Sequence, residues 1–372
     1  MSQRLLNLIP KIKGKLLDPF QNRDIRTIAV CSAQVPFFTG GAEALVHSLV
    51  EQLKDRDYEV DQVNIPFKWY PHEQLLESIA IWEKIDLSES NGKKIDLVIA
   101  TKFPSYYVQH PRKVLWLVHQ YRQLYDLFET PYSGFDPRKK EDMELRHQLI
   151  EKDTDVLNSY DRIFTISKNT SQRLKEFNQV DSDPLYHPPK LSGHYFHGKN
   201  EHYILSVGRL DALKRVDRLI EALRFCDEKV RCKIAGSGPE EQQLKILAKK
   251  NGVSERIDFL GFVPDKDLVD LYAHCSFCFF APRDEDYGYV TLESFLSKKP
   301  VMTSFDSGEP LEFVEDGKTG VVLPSLDPEE TASKIEKLFF DENEIKILGE
   351  QGFERVKDFS WDDVVSHLIP GR

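Results

Sequence analysis

What most limits the folds open to this chain is an alternation that runs twice. Ile25 to Ser32, IRTIAVCS, is an apolar run of strand length; a loop ending in Gly40 and Gly41 follows, and then Ala42, Leu45, Val46, Leu49 and Leu53 recur at helical spacing. KIDLVIAT, RKVLWLVHQ and YDRIFTIS repeat the strand signal with polar or helix-period stretches between them. Such near-continuous apolar runs suit strands covered on both faces, so they predict a parallel sheet flanked by helices. Between Asp183 and His202 the texture breaks into DPLYHPPKLSGHYFHGKNEH, with neither period, which reads as an interdomain linker. The alternation then restarts: HYILSVG, a helix through Leu219 to Leu223, VRCKIAG, a helix near Leu244 to Ala248, RIDFLG, SFCFFAP, PVMTS and GVVLP. The expected fold class is α/β, two Rossmann-like doubly wound parallel-sheet domains facing a cleft, with ligands expected at the carboxyl ends of both sheets. The expected boundaries are a basic amphipathic segment over 1–20, a first domain over 21–190, a second over 191–355, and a C-terminal helix over 356–372 that is open to crossing back onto the first domain.

At 372 residues and 40% apolar content the chain is long enough for two cores. A formal charge of -11 argues against a general nucleic-acid binder, which needs a basic face. Five cysteines suggest no disulfide framework and fit a reducing cytoplasm; Cys275 and Cys278 form a CxxC, but inside an apolar run that favours buried strand cysteines over a metal or redox pair. No apolar run reaches 18 residues, so no membrane span is expected. In the first 20 residues Leu5, Leu8, Ile9, Ile12 and Leu16 recur at helical spacing among Arg4, Lys11, Lys13 and Lys15. Pro10 interrupts that pattern, which favours an extra helix packed on the first domain over peripheral contact with a membrane surface.

Four clusters fall just after expected strands. TGGAE, Thr39 to Glu43, offers glycines for a turn and amides at a helix start for an anion; plain turns use the same residues. His119, in Val118-His119-Gln120 with Arg122 and Tyr125 following, can hydrogen-bond a hydroxyl or act as acid or base, and a satisfied structural histidine is the alternative. GRLDALKR, Gly208 to Arg215, places Arg209 and Lys214 near a helix N-terminus, an unfavourable site for cations unless an anion binds there. The fourth is RDEDYGYVTLESFL, Arg283 to Leu296, where Glu285 and Glu293 flank Gly288 across a strand-to-helix junction. Asp284 and Asp286 in that run have the DxD spacing of a metal site, yet a diphosphate neutralised by Arg209 and Lys214 needs no divalent ion, which makes the two aspartates bystanders.

From about Ile25 onward the chain resembles the retaining glycosyltransferases of family 4, whose architecture is the two-domain GT-B arrangement. The resemblance rests on Glu285 and Glu293 as a Glu-x7-Glu motif in EDYGYVTLE, and on GRLDALK, AGSGPE, RIDFLGFV, KKPVMTSFDSGEPLEFVEDGKTG and FSWDDV in order. It implies that Arg209 and Lys214 grip the donor diphosphate, that Glu293 binds the ribose hydroxyls, and that Glu285 contacts the transferred sugar. Gly288, Tyr289 and Val290 would close on sugar and phosphate, Phe262 and Val263 would lie against the base, and Gly40 and Gly41 would approach the phosphates and acceptor. His119 would approach the reacting sugar. Two positions depart from the pattern: Glu309 stands where a second glycine often follows Gly308, and Arg215 where glycine often follows Lys214; Arg215 either adds charge to the phosphate site or faces solvent.

The resemblance further implies transfer of a sugar, with retention, from a nucleotide-diphosphate sugar, UDP- or GDP-linked by preference, to an acceptor hydroxyl on a glycan or lipid-linked acceptor. No cofactor or metal is implied. The expected place is the cytoplasm, with the inner membrane face compatible. Two other classes compete. A Rossmann dehydrogenase would need GxGxxG, which the first glycine loop lacks. A catalytically silent nucleotide-sugar-binding scaffold is disfavoured by intact Arg209, Lys214, Glu285 and Glu293.

Overall fold

The computed structural model describes residues 25–37 and 40–369. The N-terminal segment and Thr39 fall outside them. The first sheet holds β1 (Thr27–Gln34), β2 (Glu59–Pro66), β3 (Leu97–Lys102), β4 (Lys113–His119), β5 (Ile163–Thr165) and β6 (Asp183–Pro184). They lie in the order β2-β1-β3-β4-β5-β6, all parallel. The second holds β7 (Ile204–Val207), β8 (Cys232–Ala235), β9 (Ile257–Gly261), β10 (Phe277–Phe279), β11 (Val301–Ser304) and β12 (Gly320–Leu323), in the parallel order β9-β8-β7-β10-β11-β12. Both orders reverse direction once, between β1 and β3 and between β7 and β10. A crevice opens at each reversal because the flanking helices leave on opposite faces.

Most strands that the sequence announces are covered ones, with the edge strand β9 an exception. Every residue of β3 is buried, and so are Val114 to Val118 of β4. β2 was not announced, because its residues EVDQVNIP alternate between exposed and half-buried along the sheet edge and contain no apolar run. The stretch read as linker also needs correction at its start. Asp183 and Pro184 pair with Phe164 and Thr165 as the outermost strand, an edge position where a proline without an N–H is tolerated.

Helices cover both sheets. On one face of the first sheet, Leu75, Ile79 and Trp82 of α2 (Gln74–Lys84), Leu149 and Leu157 of α3 (Lys140–Leu157) and Leu174 of α4 (Lys168–Asn178) pack on Val98, Ala100, Leu115 and Leu117. In the second domain, Leu219, Ile220 and Leu223 of α5 (Val216–Leu223) pack with Ile204, Ile234, Phe277 and Phe279. A third cluster crosses between domains. It joins Ile28, Val30 and Trp116 to Leu205, Cys278, and Leu292 and Phe295 of α8 (Tyr289–Leu296), and includes Val364, Val365 and Leu368 of α12 (Trp361–Leu368).

That last helix follows the second domain in sequence but lies on the first. The Ser360 hydroxyl caps it by accepting from the Asp363 amide at 3.1 Å, Arg56 pairs with Asp362, and the Trp361 ring meets Trp116 edge-on at 6.1 Å. Burying its three aliphatic side chains is worth about 1.5–3 kcal/mol each. All five cysteines are buried free thiols. No helix among the described residues is long and apolar enough to cross a membrane.

Candidate active site between the domains

The two sheet reversals face each other across a cleft of about 490 Å³, walled by Gly40, Gly41, Lys102 and His119 from the first domain and by Arg209, Lys214 and Glu285 from the second. On the first-domain side, Gly40 is the N-cap of α1 (Gly41–Lys54), and its amide donates to Glu43 Oε2 at 2.9 Å. The other oxygen of Glu43 meets Lys102 Nζ at 2.5 Å, and both side chains are largely shielded from solvent. Burial alone would raise the Glu43 carboxyl, but the Lys102 ammonium and the backbone amides of Gly40 and Glu43 together outweigh it and hold the group below the usual glutamate range. A Cβ on Gly41 would stand 3.4 Å from the Tyr289 ring of the second domain.

His119 closes β4. Its Nδ1 lies 2.9 Å from the Gln120 carbonyl oxygen, which can only accept, so Nδ1 carries the proton and Nε2 is left as an acceptor. Burial, then the Lys102 charge, lowers its pKa, so the ring is neutral near pH 7. Phe67, Trp69, Phe103 and Tyr121 build an aromatic wall on the same side, with Phe67 and Phe103 edge-to-face at 5.9 Å.

On the second-domain side the chain after β7 is shaped by glycine contacts. A Cβ at Gly236 would stand 1.9 Å from the Gly208 carbonyl oxygen, and one at Gly238 2.3 Å from that of Leu210, so the loop after β8 lies directly against the Arg209 loop. Asp211 Oδ1 then accepts from the Leu213 and Lys214 amides at 3.1 and 3.2 Å, capping a 3-10 turn over Ala212–Lys214. Lys214 Nζ meets Glu285 Oε2 at 2.5 Å. Arg215, in the left-handed region at φ 53, starts α5 and holds Asp306 by two bonds of 2.8 and 2.6 Å. This corrects two sequence expectations. Arg215 neither joins the cleft nor faces solvent, and Lys214 is compensated by Glu285 within the protein before any anion arrives.

Arg283 to Glu285 are fastened by backbone bonds to Leu213, Asp306 and Ser307 at 2.8, 2.9 and 2.8 Å. Gly308, at φ +75, permits this approach, since a Cβ there would lie 2.6 Å from the Glu285 nitrogen. Gly288, at φ 76, is the N-cap of α8, so Tyr289 and Val290 open the helix. Glu293 is half-buried one turn on and accepts from the Tyr272 hydroxyl at 2.6 Å. Burial raises its carboxyl against the pull of the Tyr272 and Tyr195 hydroxyls.

Gly288, Tyr289, Val290, Glu293, Phe262 and Val263 do not wall the cleft itself. Tyr289 stacks on His187 at 5.3 Å, with its hydroxyl 3.1 Å from Nε2. Phe262 is 83% exposed, on the turn after the edge strand β9. The structure therefore gathers Gly40, Gly41, His119, Arg209, Lys214 and Glu285 in one space and spreads the other expected site residues along α8 and that turn.

Asp284 and Asp286 are not bystanders. Arg173 donates to Asp286 at 2.6 Å and Asp284 at 3.0 Å, and Arg122 reaches both at 3.5 and 3.1 Å. The carboxylates with DxD spacing are thus engaged by guanidiniums of the first domain. Glu309 also faces that domain: its carboxylate, fully buried, accepts from the Tyr186 hydroxyl at 2.7 Å and the Asn169 amide at 2.8 Å, and burial raises it to about 7. Sequence reading missed Lys102, whose signal is a lysine closing a strand that is apolar but for Thr101, and the aromatic wall, whose signal is the aromatic density of IPFKWYP and KFPSYY.

Residues 190–355 match the family described as glycosyl transferases group 1. An uncharacterized glycosyltransferase of Methanocaldococcus jannaschii is 30% identical over 55% of this chain and 57% of its own length. The chain spans about half or less of the curated relatives it matches, 39% in the next case. Among solved structures, sucrose-phosphate synthase from Thermosynechococcus elongatus superposes with a TM-score of 0.75 at 18% identity, over 91% of this chain and 96% of that one. The Anabaena protein HepE, solved with UDP and glucose, gives 0.65 at 16% identity over 92% and 97%. At these identities the likeness establishes the fold, and that fold is GT-B.

Proposed function

We propose that this GT-B chain is a retaining, metal-independent glycosyltransferase of family 4, moving a sugar from a UDP- or GDP-sugar to a hydroxyl of a glycan or lipid-linked acceptor on the cytoplasmic side. The observation that carries the reading is the convergence of two sheet reversals on one cleft, with Arg209, Lys214 and Glu285 opposite Gly40, Gly41 and His119. The group 1 match over the second domain and the UDP and glucose bound to HepE support a nucleotide-sugar donor.

In this reading the second domain holds the donor. The diphosphate takes Lys214 from Glu285, and Arg209 adds a second cation. Glu285 is thereby released toward the hydroxyls of the sugar. Glu293 accepts from the ribose hydroxyls in exchange for Tyr272, and the Tyr289 and Val290 amides lie at the helix start that favours negative charge. The difficult event is departure of a charged diphosphate from a carbon turning oxocarbenium-like. Preorganised cations and amides stabilise that charge, and removing one such donor costs about 100- to 1,000-fold in rate.

The acceptor enters along the first domain, where the aromatic wall and the Glu43–Lys102 pair stand beside His119. The unprotonated Nε2 of His119 accepts a hydrogen bond from a sugar hydroxyl. Among the carboxylates of the cleft wall, Glu43, Glu285 and Asp286 are each paired with a cation, and Asp211 is engaged as the cap of the Leu213 and Lys214 amides. None is placed as an uncommitted nucleophile, which supports attack from the face the diphosphate leaves, with that diphosphate helping to deprotonate the acceptor.

A thermal-shift screen against UDP, GDP, ADP and their sugars, with and without EDTA, tests the reading. A ligand at 100 times its Kd stabilises by about 2.7 kcal/mol. One nucleotide family is expected to raise the melting temperature, unchanged by EDTA. No shift with any nucleotide overturns the donor, and a shift abolished by EDTA overturns the metal-free part.

A further inference from the structure

Glu285 belongs to the second domain, yet its setting is built by the first. Arg173, on α4, is only 4% exposed and spends its whole guanidinium on three aspartates: Nε on Asp126 at 3.1 Å, Nη1 on Asp286 at 2.6 Å and Nη2 on Asp284 at 3.0 Å. Arg122, on the turn after β4, holds Asp126 through Nε at 2.8 Å and Nη2 at 2.5 Å, and reaches Asp284 and Asp286 from the other side. Asn169, at the start of α4, donates through Nδ2 to Asp284 Oδ1 at 2.7 Å and to the Glu285 carbonyl oxygen at 3.0 Å. The residues on both sides of Glu285, and its own carbonyl, are thus fixed by side chains from across the cleft. Within the second domain Asp284 is held along the backbone by Asp306, and Glu285 by Ser307 and Glu309 along the backbone and by Lys214 through its side chain.

Two guanidiniums shared among three carboxylates form a planar, multiply bonded junction rather than a point contact, and a lysine reproduces its charge but not its fork. Burial would lift Asp286, but the guanidiniums of Arg122 and Arg173 outweigh it and hold the group at about 2; Asp284 is lowered as well, while burial raises Asp126.

We infer that Arg173, Arg122 and Asn169 are positioning residues of the first domain that set Glu285, and through it Lys214, in the geometry the donor meets. The inference rests on the donor reading above only for what Glu285 touches. Its consequence is that the second domain has affinity for a nucleotide by itself but gains its sugar-facing geometry from docking onto the first.

The test uses the full chain with Arg173→Ala, Arg173→Lys and Asp286→Asn, read by hydrogen exchange without ligand and by calorimetric binding of UDP, UDP-glucose, GDP and GDP-mannose. The amides of Arg283, Asp284 and Glu285 are expected to exchange at least about 10-fold faster in Arg173→Ala, with β7 and β8 unchanged, as befits a local opening. Asp286→Asn, which keeps the side-chain volume, is expected to show the same local signature, and Arg173→Lys an intermediate one. Affinity for the bare nucleotide is expected to stay within about 3-fold, while the added affinity given by the sugar is lost and turnover falls about 100-fold, the scale of a misplacement near 1 Å. Unchanged protection at 283–285 overturns the inference. Loss of protection spread evenly through the second domain overturns it too, by making the junction a general prop. If the wild type binds none of the four probes, the donor reading fails, and the exchange data still decide the positioning role on their own.

Discussion

Replacing Glu309 by glutamine should stabilise the protein above neutral pH. The Glu309 carboxyl titrates at about 7 in the fold against 4.5 for a free glutamate, because burial penalises its charge. Between those values the folded chain keeps a proton that the unfolded chain has released, so stability declines as pH rises through that window and the whole loss is felt above pH 7. A tenfold difference in proton affinity between folded and unfolded chain is worth about 1.36 kcal/mol, which puts the loss at about 3 kcal/mol. Glutamine escapes it and keeps both neighbours in hydrogen-bond contact. Its oxygen accepts from the Asn169 amide, and its NH2 donates to the Tyr186 hydroxyl, whose own proton turns toward solvent on its half-buried side, the pairing a protonated glutamate would make. At pH 8 the variant should therefore melt higher than the wild type, on the order of 5–10 °C for a domain-sized transition, with the gap closing toward pH 5. Glu309→Ala is the contrast, since it strands both donors and should be destabilised by about 1–3 kcal/mol per unsatisfied group at either pH. Paired thermal melts at pH 5 and pH 8 decide the matter. A Glu309→Gln gap that is absent at pH 8, or identical at both pH values, refutes the reasoning.

Other expectations follow from single contacts. Lys214→Ala should lower kcat by about 100- to 1,000-fold in a donor-turnover assay, more than any change in melting temperature explains. Glu293→Ala should weaken nucleotide-sugar binding by calorimetry, and unchanged affinity and turnover would remove it from the site. Lys102→Ala leaves the half-buried Glu43 carboxylate without its cation and should cost at most about 3–5 kcal/mol in denaturant unfolding at neutral pH. Because Glu43 lies below its usual pKa, that cost should shrink as pH falls and the wild type loses the same pairing. Gly308→Ala combines a left-handed φ with a Cβ 2.6 Å from the Glu285 nitrogen, so it should destabilise by about 1–3 kcal/mol and displace Glu285, read as lost turnover.

Strands covered on both faces write themselves as apolar runs, so the two parallel sheets were legible, whereas β2 and β6 at the edge were not. Gly288 was legible as a place of close approach, and at φ +76 with a Cβ 2.9 Å from the Pro310 ring only glycine fits there. What a charged residue does was much less legible. Lys214 and Glu285 are 71 positions apart, and Arg173 and Asp286 113. The first pairing comes from two loops that the second sheet brings together and the other from how the domains dock, and no local spacing encodes either. The same holds for Glu309, a departure from the family pattern whose neighbours come from the linker and α4.

The path of α12 bears on how the molecule comes to be made. Val364, Val365 and Leu368 complete a cluster that includes Ile28, Val46 and Trp116, so strands that emerge first from the ribosome wait for a helix that emerges after the entire second domain. Until then the first domain presents a bare apolar face in a crowded solution, the state in which partly folded chains aggregate or recruit chaperones. Nascent chains stalled before residue 361 should accordingly be cut by protease in the first sheet at sites that the finished chain protects.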